Sequence, residues 1–133
     1  TPLYSSAASD VYKRQPSPRS SKQDRGEGGS VSIRQFQHLI RRKYHATDSA
    51  RGVPGTFMWF VEEVGELATA LQDNASGKTP TPERRANLEE EFADVLAWLM
   101  TLANIAGAEG GGVDIERAIR KYTEPGRVEG VKA

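Results

Sequence analysis

From Ser32 onward the apolar positions follow the period of a helix. Ile33, Phe36, Leu39 and Ile40 recur at spacings of three and four, with Ser32 or Ser30 placed to cap the start and Arg41, Arg42 and Lys43 near the C-terminal end. This predicts a first helix to about Tyr44. Gly52, Pro54 and Gly55 predict a loop, beyond which Phe57, Phe60, Val61, Val64, Leu67, Ala68 and Leu71 trace an apolar stripe and a second helix to about Asp73. Residues 74–81 read as a loop. Thr81 then supplies an N-cap and Pro82 a first helical residue for a third helix, which extends to about Ala106 and is stopped by Gly107 and the glycines at 110–112. Asp114 can cap a fourth, shorter helix through Ile115, Ala118, Ile119 and Tyr122, ended by Pro125 and Gly126. No segment alternates with period two over strand length. The predicted fold class is all-α: an antiparallel helical bundle of about four helices per chain, with Phe36 and Phe57 in the core.

Residues 1–30 are rich in Ser, Gly, Arg and Asp and poor in apolar residues, a composition that does not repay the entropy of ordering. They are expected to be a disordered tail. The run Leu3-Tyr4-Ser5-Ser6-Ala7-Ala8-Ser9-Asp10-Val11-Tyr12-Lys13-Arg14-Gln15 also resembles translated sequencing-adapter read-through, so a native start near Val31 is expected. Residues 31–125 then form the single domain and 126–133 a flexible C-terminus. The chain has no Cys, which excludes disulfides, thiolate zinc sites and Cys nucleophiles. Neither a transmembrane span nor the apolar core of a secretory signal is visible, so no membrane partner and a cytoplasmic location are expected.

The net charge is zero, with 18 Lys and Arg balancing 18 Asp and Glu, but the signs are segregated. Between residues 52 and 116, twelve Asp or Glu face only Lys78, Arg84 and Arg85. An acidic centre argues against a nucleic-acid surface there. Within it lie two short strings, Glu62-Glu63-x-x-Glu66 and Glu91-x-x-Asp94. Residues three and four apart share one face of a helix, so each string can aim carboxylates at a common point.

Acidic strings on helices are commonly solvated faces, but those interleave cations at i±4. Here no Lys or Arg occurs between Arg51 and Lys78 or between Arg85 and Arg117. At about 100° per residue, Glu91 falls inside the arc of Phe92, Val95, Trp98, Leu99 and Leu102. A charge turned toward a core is retained when paired or bound to metal. Two such helices side by side would present the hard oxygen ligands that Mg²⁺ and its bound phosphates require, with Mn²⁺ as a substitute.

The segments Trp59-Phe60-Val61-Glu62-Glu63-Val64-Gly65-Glu66-Leu67-Ala68, Glu90-Glu91-Phe92-Ala93-Asp94-Val95-Leu96 and Leu102-Ala103-Asn104-Ile105-Ala106 resemble the MazG-like nucleoside triphosphate pyrophosphohydrolases. These form part of the all-α NTP pyrophosphatase superfamily, whose signature is EExxE on one helix and ExxD on the next. The resemblance covers roughly residues 32–122. It implies cleavage of a nucleoside triphosphate, NTP or dNTP, between the α and β phosphates to the monophosphate and pyrophosphate. By matching position it implies Glu63, Glu66, Glu91 and Asp94 as Mg²⁺ ligands, Glu62 and Glu63 as catalytic groups, Lys121 as a phosphate contact, a homodimer or homotetramer, and a housekeeping task in the nucleotide pool. Where the family carries an Asn after that Lys, this chain has Pro125, with Arg127 beyond.

Other residues carry weaker signals. Arg117 on the fourth helix could also reach a phosphate, and Trp98 and Trp59, one turn from Asp94 and Glu63, could stack on a nucleobase, although aromatics at helical spacing are more often core. His38 and His45 have no partner at metal-ligand spacing. Met58 and Trp59 give the second helix apolar residues on more than one side, which predicts that oligomerisation completes the bundle. Two other readings compete: a catalytically idle nucleotide- or metal-binding helical module, which the altered segment after Lys121 keeps open, and a di-iron carboxylate bundle, disfavoured by the lack of Glu-x-x-His pairs.

Overall fold

A computed structural model describes residues 29–124. The expectations for residues 1–28, for Pro125 and for the C-terminus 126–133 therefore lie outside the described residues. Those described are all helical, without a strand. Helix α1 spans Ile33–Asp73, α2 spans Pro82–Ile105 and α3 spans Ile115–Ala118, with 3₁₀ turns at Ala108–Gly110 and Ile119–Tyr122. No helix among the described residues is long and apolar enough to cross a membrane.

The start signals act as local chemistry dictates. Ser32 Oγ accepts the Gln35 N–H at 3.1 Å while Gln35 Oε1 accepts the Ser32 N–H at 2.7 Å, a reciprocal capping box. Thr81 and Asp114 cap α2 and α3 in the same way, accepting from the N–H groups of Arg84 and Arg117. Each cap is worth about 1 kcal/mol.

The expected loop between the first two helices contracts to one residue. α1 continues through Arg51, breaks at Gly52 (φ 79°, ψ 172°) and resumes with Pro54 in the next turn, where a missing N–H costs nothing. Gly52 adopts a conformation essentially closed to residues with a Cβ. We call the stretches before and after it arm 1 and arm 2. The expected fourth helix is one α-helical turn continued by 3₁₀ geometry. Because the first two predicted helices join into α1, the described residues hold three helices where four were predicted.

Both arms pack on α2. Arm 1 runs beside its C-terminal half: Ile40 and Tyr44 bury Met100, with Phe36, Ala97 and Ile115 around them. Burying a side chain such as Met100 contributes about 1.5–3 kcal/mol. Arm 2 runs beside its N-terminal half, and the turn is fastened by Asn74, whose Nδ2 donates to the carbonyls of Ala70 and Arg84 at 2.8 and 3.0 Å.

The seam of arm 2 corrects one expectation. Its buried residues recur every seventh position, Thr56, Glu63 and Ala70, so small and polar groups face α2. Phe57, read as core, is 54% exposed, and Met58, Val61, Val64 and Leu71 of the same arm are exposed with it. On α2, Phe92, Leu96 and Leu99 are also exposed. One neighbouring helix cannot cover a stripe wider than the seam. These exposed apolar side chains form the kind of surface that marks an interface.

Candidate metal centre

The heptad seam brings Glu63 into the interior, where it is only 1% exposed. One turn on, Glu66 is half-buried, and across the seam so is Glu91 of α2. One carboxylate oxygen from each of the three lies within 4.8 Å of the others. Two helices thus place three acidic groups around one point, as the spacing predicted. Asp94 is half-buried one turn after Glu91 and does not join this group. Glu62 is half-buried and lines an apolar cavity of about 600 Å³ with Phe57, Met58, Trp59 and Val61.

Three oxygens at these separations fit a small divalent cation: the donors are hard, anionic and drawn from two rigid elements. Mg²⁺ retains several waters and exchanges them for phosphate oxygens, so an incomplete protein shell suits it.

The aromatic residues take different places. Trp98 is 2% exposed, with Trp59 packed at 6.5 Å between ring centroids and the Arg51 guanidinium 5.0 Å over its ring. Trp98 is a core residue, and its buried ring offers no platform to a nucleobase. Trp59 is half-buried and borders the apolar cavity. Lys121 is exposed, its Nζ 4.8 Å over the ring of Tyr122. Arg117 lines a separate cleft with Arg34, His38 and Arg41.

Periodicity missed a buried polar hub at the kink. Asp48, fully buried, accepts from Arg51 Nη1 at 3.2 Å, and the same nitrogen donates to Thr56 Oγ1 at 3.4 Å. Burial pushes the Asp48 carboxyl above its ordinary value, opposed first by the Arg51 charge and then by hydrogen bonds from Thr101 and Arg51. Burial, and then the nearby Asp48 charge, raises the Tyr44 phenol. Arg51 thereby ties both arms of α1 to Trp98, on the helix that carries Glu91. The available signal was the i, i+3 pair Asp48 and Arg51 immediately before Gly52.

No curated protein matches the chain. The MazG nucleotide pyrophosphohydrolase domain matches residues 54–125, a stretch that starts just after the kink and holds both acidic strings. With the match extending over more than half of its length, and with three of the five signature carboxylates gathered at one point, this chain belongs to the MazG nucleotide pyrophosphohydrolase family.

Proposed function

We propose that this protein hydrolyses a nucleoside triphosphate between the α and β phosphates, with Mg²⁺ as cofactor and Mn²⁺ as a substitute, releasing the monophosphate and pyrophosphate. The observation that carries this reading is the convergence of Glu63, Glu66 and Glu91 within 4.8 Å from two helices. These three, with Asp94 one turn from Glu91, would hold the metal. Bound there, Mg²⁺ would neutralise charge developing on the phosphates and make a water more acidic.

The chain's own side chains do the rest. Glu62, beside the Glu63 carboxylate in sequence and lining the apolar cavity, accepts a proton from the attacking water. The α–β anhydride bond breaks as the water's hydroxyl joins one of its two phosphorus atoms and the bridging oxygen departs with the other fragment, so that monophosphate and pyrophosphate separate. Phe57, Met58 and Trp59 give the cavity an apolar wall against which a base can lie, with Trp59 as the stacking ring. Lys121, solvent-exposed, supplies a phosphate cation. The setting is the cytoplasmic nucleotide pool, and the task its housekeeping.

The exposed Val64, Leu71, Phe92, Leu96 and Leu99, outside that cavity, support a homodimer or homotetramer in which a second copy covers this part of arm 2 and α2. A stable monomer by light scattering would contradict the assembly. For the chemistry, phosphorus NMR of reactions with a panel of NTPs and dNTPs plus Mg²⁺ should show monophosphate and pyrophosphate in equal amounts, lost in Glu63→Gln. If no triphosphate is consumed while nucleotide still binds, the idle-module reading replaces this one.

A further inference from the structure

At the other end of α2 the charge has the opposite sign. Arm 1, the last turn of α2 and the glycine segment before α3 enclose a cleft of about 410 Å³, lined in part by Arg34, His38, Arg41, Asn104, Asp114 and Arg117. That volume is in the range of small-molecule sites, about 300–1,000 Å³. Glu91 and Asn104 are 13 residues apart on one helix, which at 1.5 Å per residue puts the cleft about 20 Å along the axis from the carboxylates. Arg34, His38 and Arg41 also precede residue 54, where the family match begins.

Two acids stand beside the cleft, and Arg34 engages both: its Nη2 meets Asp114 Oδ2 and its Nη1 meets Glu116 Oε2, each at 3.1 Å. The guanidinium groups of Arg41 and Arg117 and the imidazole of His38 make no ion pair or hydrogen bond with any described residue. Three basic groups therefore converge on one concavity with the local acids already engaged.

The walls are built to hold that shape. Gln37 Nε2 donates to Asn104 Oδ1 at 3.1 Å and to the Val113 carbonyl at 2.7 Å, while Gln37 Oε1 accepts the Ile115 N–H at 3.1 Å. Gly112 has φ +83°, and a Cβ there would lie 3.1 Å from the Asn104 carbonyl oxygen and 3.7 Å from Arg41 Nη1. A side chain at this position would crowd the space beside the guanidinium.

We infer that this cleft binds a phosphate-bearing small molecule through Arg41 and Arg117, with no divalent ion needed. Each guanidinium is a planar fork that fits phosphate oxygens in pairs, and two forks with an imidazole suit a ligand of at least two negative charges.

The test is calorimetric titration of the full chain in EDTA at low salt, with inorganic pyrophosphate and, separately, a nucleoside monophosphate. Saturable one-site binding is expected, weakened at least tenfold by Arg41→Gln and by Arg117→Gln and unchanged in Glu63→Gln. Tighter binding of pyrophosphate identifies a free diphosphate as the ligand class, and tighter binding of the monophosphate a nucleotide. Because Arg117 is exposed, its substitution keeps the test interpretable if Arg41→Gln fails to fold. The inference is overturned if the unmodified chain binds neither anion in EDTA, if both arginine variants bind as it does, or if Glu63→Gln removes the binding. Metal-free conditions separate all these results from any failure of the pyrophosphohydrolase reading.

Discussion

Glu63→Gln should make the metal-free protein more stable while removing its response to Mg²⁺. The carboxylate oxygens of Glu63, Glu66 and Glu91 lie within 4.8 Å of one another, and two unit charges at that distance repel by about 3.5 kcal/mol at an effective dielectric of about 20. Glu63 faces two such neighbours, which gives about 7 kcal/mol before screening. Because Glu66 and Glu91 are half-exposed, solvent screens most of this, leaving a net gain of about 1–3 kcal/mol. Gln keeps the shape and much of the hydrogen-bonding reach of the buried side chain, so the gain should survive as a rise in Tm of about 4 °C or more for a domain of this size. Mg²⁺ at a hundred times its Kd should stabilise the unmodified protein by about 2.7 kcal/mol and leave the variant where it was. Scanning calorimetry of both proteins in EDTA and in Mg²⁺ measures all four states. A variant that melts lower in EDTA and still gains stability from Mg²⁺ would refute the repulsive, metal-binding character assigned to this cluster.

Four further outcomes follow from the scaffold. Gly52→Ala should cost about 1–3 kcal/mol in urea unfolding, because φ 79° with ψ 172° is closed to a Cβ; the nearest side-chain atom a Cβ would meet is Pro54 Cδ at 3.9 Å, so the loss is conformational and not a clash. Arg51→Met strands the buried Asp48 carboxylate and should cost about 3–5 kcal/mol, largely recovered in the double variant with Asp48→Asn, as a double-mutant cycle will show. The Asp48 pKa is raised by folding, so its ionisation opposes the folded state as pH climbs above 3.8; relative to Asp48→Asn, the unmodified protein should lose stability over that rise, and a difference independent of pH would contradict it. Gln37→Ala removes the side-chain bonds to Asn104, Val113 and Ile115 and should cost about 1–3 kcal/mol, with faster amide exchange at Val113 and Ile115.

What the sequence disclosed divides by range. Ser32, Thr81 and Asp114 were legible because a cap is made by residues within one turn. Glu63, Glu66 and Glu91 were legible because helical spacing and the lack of neighbouring cations mark an inward acidic face. Gly52 was recognised as a break, but its span was not, since the contact of Asp48 with Thr101 that extends arm 1 joins residues far apart in sequence. Phe57, read as core, lies exposed beside Val61 and Val64; periodicity identifies a face, and only packing shows what lies against it. Trp98 was ambiguous for the same reason, and the structure assigns it to the core beneath Arg51. The convergence of His38, Arg41 and Arg117 depends on how the glycine segment returns to arm 1, which no local pattern records.

The claim on which the enzymatic account depends is that α1 and α2 share one divalent ion. Mn²⁺ titration followed by electron paramagnetic resonance tests it directly, comparing the unmodified chain with Glu63→Gln from one helix and Glu91→Gln from the other. The account predicts saturable Mn²⁺ binding that either substitution weakens by an order of magnitude or more. Undiminished binding in both variants would contradict it.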